Sequence, residues 1–155
     1  MYTPLVSIIV PNYNKEIHIN SCIKSVLNQS YTNLEIIFID NFSTDNSMEI
    51  IKSINDKRIR IVQFNNKGVI ASSRNIGIKN SKGELLAFLD SDDYWHENKL
   101  SESIKAIRIG ADFTYHDFYI YKNISKPNNK IISCKGYSSP IYFSLLNDGN
   151  SIITS

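Results

Sequence analysis

Apolar positions along this chain follow two spacings in turn. Near-continuous runs at Leu5–Val10, Leu34–Ile39 and Glu84–Leu89 read as strands buried on both faces. Pro11 is expected to end the first of them. Between the first two runs, Ile19, Cys22, Ile23, Val26 and Leu27 fall at i, i+3, i+4, i+7 and i+8, one face of a helix. Ser43 or Thr44 is expected to cap a second helix, with Met48, Ile51 and Ile54 on its inner face. Arg58–Phe64 alternates in its first half and predicts a third strand, followed by a turn at Asn65-Asn66-Lys67-Gly68. A third helix is predicted over Ile70–Asn80, stopping at Ser81-Lys82-Gly83, and a fourth carries Leu100, Ile104 and Ile107 and ends at Gly110. Strands alternating with helices specify an α/β fold, a mostly parallel sheet flanked by helices.

The remainder is less regular. Strands are predicted near Asp112–Tyr121 and Ile131–Ser133, with a polar turn over Lys122–Lys130, a short helix after Pro140 and a last strand near Ile152. Because Ser151–Ser155 stops inside that expected strand without a polar tail, the chain is expected to be the front part of something longer.

Composition narrows the class. Of 155 residues, 42% are hydrophobic and 21% charged, the balance of a soluble globular domain. Lys+Arg 17 against Asp+Glu 15 leaves +2, and the basic residues form no stripe, so no nucleic-acid partner is expected. No apolar run approaches the roughly 20 residues of a membrane helix, and no basic segment followed by an apolar stretch opens the chain. Cys22 and Cys134 have no metal or redox spacing, which fits a reducing, cytoplasmic setting.

In an open parallel sheet, ligands bind beyond the carboxyl ends of the strands, where strand order reverses. The residues there are Pro11-Asn12-Tyr13-Asn14, Asp40-Asn41 and Asp90-Ser91-Asp92-Asp93. Three carboxylates within four residues repel one another unless a cation neutralises them. Oxygen donors suit Mg²⁺ or Mn²⁺, which take one or two carboxylates together with substrate phosphates. The structural alternative is that Asp92 or Asp93 caps the helix that follows. Asp40 could hold a ribose or base, or merely serve a turn; Tyr13 could stack on a base or pack under its loop. Arg74 could meet phosphate or base oxygens, or form a surface ion pair. His18, His96 and His116 lack metal-ligand spacing. No GxGxxG, GxxxxGK[ST] or GxSxG occurs, which removes the nicotinamide, P-loop and serine-hydrolase readings.

Taken in order, the motifs resemble family 2 glycosyltransferases with the GT-A fold. Val6–Asn14 resembles the family's opening, and Ser25-Val26-Leu27-Asn28-Gln29-Ser30-Tyr31 its S-x-L-x-Q-T/S-Y/F segment. Ile39-Asp40-Asn41-Phe42-Ser43-Thr44-Asp45 resembles V-D-D-G-S-T-D, and Ser73-Arg74-Asn75-Ile76-Gly77 resembles A-R-N-x-G. Gly83-Glu84 through Asp93 matches G-E-Y-I-x-F-L-D-x-D-D.

The resemblance implies a Rossmann-like nucleotide-sugar-binding domain over residues 1–121 and an incomplete acceptor-side region over 122–155. It implies that Pro11, Tyr13 and Asn14 line the base and ribose pocket, that Asp40 and Asn41 hold the base or ribose, and that Arg74 reaches base or phosphates. Asp90, with Ser91, would lie toward the ribose, Asp92 would take Mn²⁺ or Mg²⁺, and Asp93 would be a second metal or sugar contact. Asn41 departs from the family pattern, which has an acid there. The expected activity is inverting transfer from a nucleotide sugar, UDP-linked by preference, to a glycan or lipid-linked acceptor of bacterial polysaccharide synthesis. The alternative is a non-catalytic nucleotide-sugar-binding or scaffold domain. The family's catalytic base is expected beyond Ser155, because Asp112, Asp117 and Asp148 lack its context. General-base help is worth ~10²–10⁴-fold, so the chain alone is expected to bind donor and transfer poorly. Peripheral association with the inner membrane face, and pairing of two copies along the edge near Ile152, are further expectations.

Overall fold

The computed structural model describes residues 3–120 and 130–132. The chain divides into two compact units after Glu102. In the first, β1 (Val6–Asn12), α1 (Glu16–Leu27), β2 (Leu34–Asp40), α2 (Ser47–Ser53), β3 (Ile59–Gln63), α3 (Ile70–Asn80) and β4 (Leu85–Phe88) alternate as the periodicity predicts. The strands form one parallel sheet in the order β3-β2-β1-β4. α4 (Lys99–Arg108) runs across the division. In the second unit, β5 (Phe118–Ile120) pairs antiparallel with β6 (Lys130–Ile132). The short helix expected after Pro140 and the strand near Ile152 lie outside the described residues, as does Cys134.

Every residue of β1 is buried, which is why that segment reads as an unbroken apolar run. One sheet face gathers Ile9, Ile37 and Ile39, with Val62, Phe64 and Phe88 packed against them. α3 lies on this face so closely that a Cβ on Gly77 would come 2.3 Å from Ile9 Cγ2 and 3.1 Å from Ile39 Cδ1. Gly83 solves a similar problem at the entry to β4, where a Cβ would meet Leu5 O and Ser7 N at 2.6 Å. α1 buries Ile19, Cys22, Ile23 and Val26, the stripe its spacing predicts.

Two expectations need correction. Pro11 does not end β1, which continues through Asn12 in register with Asp40. The reason is ladder geometry. Leu89 N–H is accepted by Ile9 O at 3.1 Å and Asn41 N–H by Asn12 O at 2.9 Å, so odd-numbered residues of β1 face β4 and even-numbered ones face β2. The missing N–H of Pro11 therefore falls on the β4 side, where that ladder ends at Ile9↔Phe88, and the pairing with β2 runs on undisturbed.

Ser43 and Thr44 do not cap α2. The helix begins at Ser47, with Asn46 at the N-cap position and no cap from its side chain. The two hydroxyls are drawn instead to Asp40 and Asn14, whose buried or half-turned polar groups need partners. Asp45 takes over the helix starts: Oδ1 accepts Ser47 N–H at 2.9 Å and Oδ2 accepts Glu16 N–H at 3.0 Å.

Candidate functional site

In the strand order β3-β2-β1-β4, successive strands add on one side of β1 until β4 crosses to the other. The reversal thus falls between β1 and β4, and the crevice opens beyond their carboxyl ends. A cavity of about 680 Å³ sits there, lined by Pro11, Asn12, Tyr13, Lys15, Asn41, Phe42, Asn65, Asn66, Gly68, Ile70, Ser73, Asp90, Ser91 and Asp92. Its wall includes six of the ten residues to which the resemblance gives a role: Pro11, Tyr13, Asn41, Asp90, Ser91 and Asp92.

The two cavity carboxylates each have a cation. Arg74 Nη2 donates to both oxygens of Asp90, at 2.8 and 3.2 Å. Lys15 Nζ reaches Asp92 Oδ2 at 2.7 Å, from 77 positions away in the chain. Partial burial pushes the Asp92 carboxyl up, but the Lys15 hydrogen bond and charge outweigh it and hold the group below its usual range. Each cavity acid thus has a cation already beside it. Asp93 is not on its wall; its N–H turns back to Asp90 O at 3.0 Å, closing the turn.

Asp40 and Asn14 serve the loops. Asp40 is fully buried: Oδ1 accepts from Asn12 Nδ2 at 3.0 Å and Ser43 Oγ at 2.5 Å, and Oδ2 from Ser43 N–H at 3.0 Å. Asn14, at φ 51°, accepts Thr44 N–H through Oδ1 at 2.8 Å. Together they lock the turns after β1 and β2 to one another, and neither lines the cavity. Asn41 does. Its Oδ1 accepts Asn66 N–H at 2.9 Å, which orients the amide and leaves its Nδ2 hydrogens for a ligand. The buried Oδ1 of Asn12 and Nε of Arg74 have no protein partner.

The segment after the acidic turn is clamped by the end of α1 and the residues just after it. Ser25 Oγ accepts Trp95 N–H at 3.0 Å. Gln29 donates from Nε2 to His96 O at 2.8 Å and accepts Leu100 N–H at 2.9 Å through Oε1. The S-x-L-x-Q spacing is thereby explained: Ser25 and Gln29, one helical turn apart, hold the chain leaving Asp90–Asp93. Cys22 lies beneath the same turn, its Sγ 3.7 Å from Asp90 O. Burial, then the Asp93, Asp92 and Asp90 carboxylates, push this thiol far above its ordinary value.

Sequence reasoning passed over Lys15, Phe42 and the turn Asn65–Gly68. The turn follows β3, so the strand-end rule that selected the other loops also pointed to it. For Lys15 the signal was weaker, a lone cation directly after Asn14. Phe42 stands where the family segment has glycine, a visible departure.

Comparison with known proteins agrees with this architecture. The chain matches Glycosyl transferase family 2 over residues 7–151. It is 40% identical over 136 residues to an uncharacterised glycosyltransferase of Haemophilus influenzae, covering 86% of this chain and 54% of that protein. It is 42% identical over 120 residues to the Escherichia coli UDP-Glc:alpha-D-GlcNAc-diphosphoundecaprenol beta-1,3-glucosyltransferase WfaP, covering 77% of this chain and 48% of the relative. The chain spans about half the length of both relatives. Among solved structures, residues 1–349 of Staphylococcus aureus TarS in complex with UDP superpose with a TM-score of 0.65 at 26% identity, over 76% of this chain and 39% of that one. The Pyrobaculum calidifontis mannosyltransferase PcManGT, in complex with GDP-Man and Mn²⁺, gives 0.64 at 25% identity, over 79% and 36%. With this sheet order, this cavity and a family match across most of its length, the chain belongs to glycosyl transferase family 2 and carries the N-terminal part of its GT-A fold.

Proposed function

We propose that this chain forms the donor side of an inverting, metal-assisted glycosyltransferase that takes a UDP-sugar and passes the sugar to a lipid-linked or polysaccharide acceptor. The observation that carries the reading is the cavity at the β1/β4 reversal, where Asp90 and Asp92 share a wall with Pro11, Asn12 and Tyr13 from the end of β1. Relatives supply the substrate class. WfaP is named for UDP-Glc and a diphosphoundecaprenol acceptor, TuaG of Bacillus subtilis for teichuronic acid biosynthesis, and TarS is seen with UDP-GlcNAc. No helix among the described residues is long and apolar enough to cross a membrane.

The residues suit such a donor. Pro11 and Tyr13 offer apolar surface to the base, and Asn41 offers N–H donors to a base carbonyl. Arg74 holds the Asp90 carboxylate in one orientation, from which it can accept from ribose hydroxyls, with Ser91 beside it. A divalent cation fits through Asp92. Among the described residues no group of three His, Cys, Asp or Glu could hold a metal unaided, so the donor's diphosphate and water would supply the other ligands, as Mg²⁺ and Mn²⁺ usually require. When bound, that cation neutralises charge developing on the departing diphosphate. Lys15, which now pairs with Asp92, would supply a second positive charge at the same wall.

Calorimetric titration with UDP, dTDP and GDP, with Mn²⁺ or with EDTA, tests the reading. UDP is expected to bind in Mn²⁺ and to weaken at least about tenfold in EDTA or in Asp92→Asn, the scale of one lost charge-assisted contact. Equal UDP affinity under all these conditions would remove Asp92 and the metal from the site.

A further inference from the structure

Phe42 stands in a conformation that its own chemistry disfavours. Its φ is 53°, in the left-handed region that glycine and asparagine enter readily and that Cβ crowding makes costly for a bulky residue such as phenylalanine. Its ring does not recover that cost in the core, being 55% exposed. The conformation persists because its neighbours over-determine it. Asn41 N–H is held by Asn12 O at 2.9 Å, and Ser43 is tied to Asp40 through both N–H and Oγ. Strain held in this way, on an exposed side chain lining a cavity, marks a functional position. Tyr13, on the adjacent turn, is also exposed and lines the same cavity.

We propose that Phe42 is a second aromatic platform of the nucleotide site, on which the base of the bound donor packs alongside Tyr13. The proposal rests on the donor-site reading above and deepens it. A neutral ring recognises the π-face of a base and is indifferent to phosphate. The platform therefore separates a nucleotide from a bare diphosphate, while the choice among bases falls to the polar groups of Asn41 and Asn12. The ring is exposed on the cavity wall and not packed into the loop's interior.

The test measures UDP and inorganic pyrophosphate binding in Mn²⁺ for wild type, Phe42→Leu, Phe42→Gly and Phe42→Trp. Leu and Gly are expected to weaken UDP roughly 5- to 30-fold, the lower part of the range for one base–aromatic contact, and to leave pyrophosphate unchanged. Trp is expected to retain UDP binding. The Tm of Phe42→Gly is expected to equal or exceed that of wild type, since glycine relieves the strained φ. Phe42→Leu binding UDP as wild type does would overturn the platform. So would equal losses for UDP and pyrophosphate, or a drop of several degrees in Tm with Phe42→Gly, which would assign the ring to loop packing. A wild type that binds none of UDP, dTDP or GDP would overturn the donor-site reading and the platform with it, an outcome distinct from wild-type binding that Phe42→Leu leaves intact.

Discussion

Replacing Gly77 with alanine sets two opposed effects against each other, and the structure decides between them. In an isolated helix the change gains about 1 kcal/mol, because alanine loses less backbone entropy than glycine. Here the new methyl would lie 2.3 Å from Ile9 Cγ2, 3.0 Å from Ile9 Cγ1 and 3.1 Å from Ile39 Cδ1. The closest approach falls more than 1 Å short of the roughly 3.5–4.0 Å carbon–carbon optimum. Both isoleucines are fully buried, so neither can swing into water, and α3 must lift from the sheet. Overpacking of this kind costs about 1–3 kcal/mol, and two side chains caught at once put this site in the upper half. The net expectation is a loss of about 1–2 kcal/mol, or roughly 3–8 °C in Tm for a chain of this size. Urea unfolding followed by far-ultraviolet circular dichroism reads it as a lower midpoint at unchanged slope. Adding Ile9→Ala should remove the clash, so the double variant should be about 1 kcal/mol more stable than the summed single losses predict. A Gly77→Ala protein as stable as wild type, or strictly additive with Ile9→Ala, would refute the close approach of α3. At Gly83 the atoms in the way are backbone, Leu5 O and Ser7 N, and no helix propensity compensates. Gly83→Ala is therefore expected to cost more, about 3 kcal/mol.

Glu35 governs part of the acid limb. Burial pushes its carboxyl up, but the Ser7 hydroxyl, Lys82 N–H and Arg60 guanidinium outweigh this and hold it below 4.5. A lowered folded-state value gives stability that is present above the unfolded value and lost as pH falls through the folded one. Wild type should accordingly lose more stability than Glu35→Gln between roughly pH 5 and 3, by less than about 1 kcal/mol given solvent screening; parallel pH profiles would contradict this. Lys15→Met frees Asp92 of its ammonium partner and should tighten Mn²⁺ binding without nucleotide roughly three- to tenfold by electron paramagnetic resonance, whereas an unchanged affinity would show that the ion pair does not compete. Cys22, its thiol suppressed by burial and by three carboxylates, should resist a disulfide reagent in the folded protein at pH 8 and react in urea, as peptide mapping would show. Rapid labelling of Cys22 in the native state would contradict its packing under the acidic turn.

What this sequence determined alone is whatever depends on neighbours in the chain. The apolar runs of β1 and β2 and the stripe of α1 followed from side-chain period, and the bounds of α3 were read correctly because Ser81-Lys82-Gly83 offers no route to continue a helix. The strand-end rule likewise put Asp90, Ser91, Asp92, Tyr13 and Asn41 at one edge, because a parallel sheet aligns the ends of its strands. The tertiary structure decided how those ends are wired. Pro11 stays within β1 because its missing N–H falls on the β4 side while β2 continues to pair, a fact of register that no local pattern encodes. Asp40 and Asn14 became braces between turns, since a buried carboxylate takes the nearest donors, and Ser43 was nearer to it than to the start of α2. Lys15 and Asp92 meet across 77 residues because strand order reverses between β1 and β4. The left-handed backbone of Phe42 is imposed by hydrogen bonds to Asn12 and Asp40. Periodicity reports what each segment must bury, whereas the pairing of charges and the strain of a turn depend on which segments the sheet brings side by side.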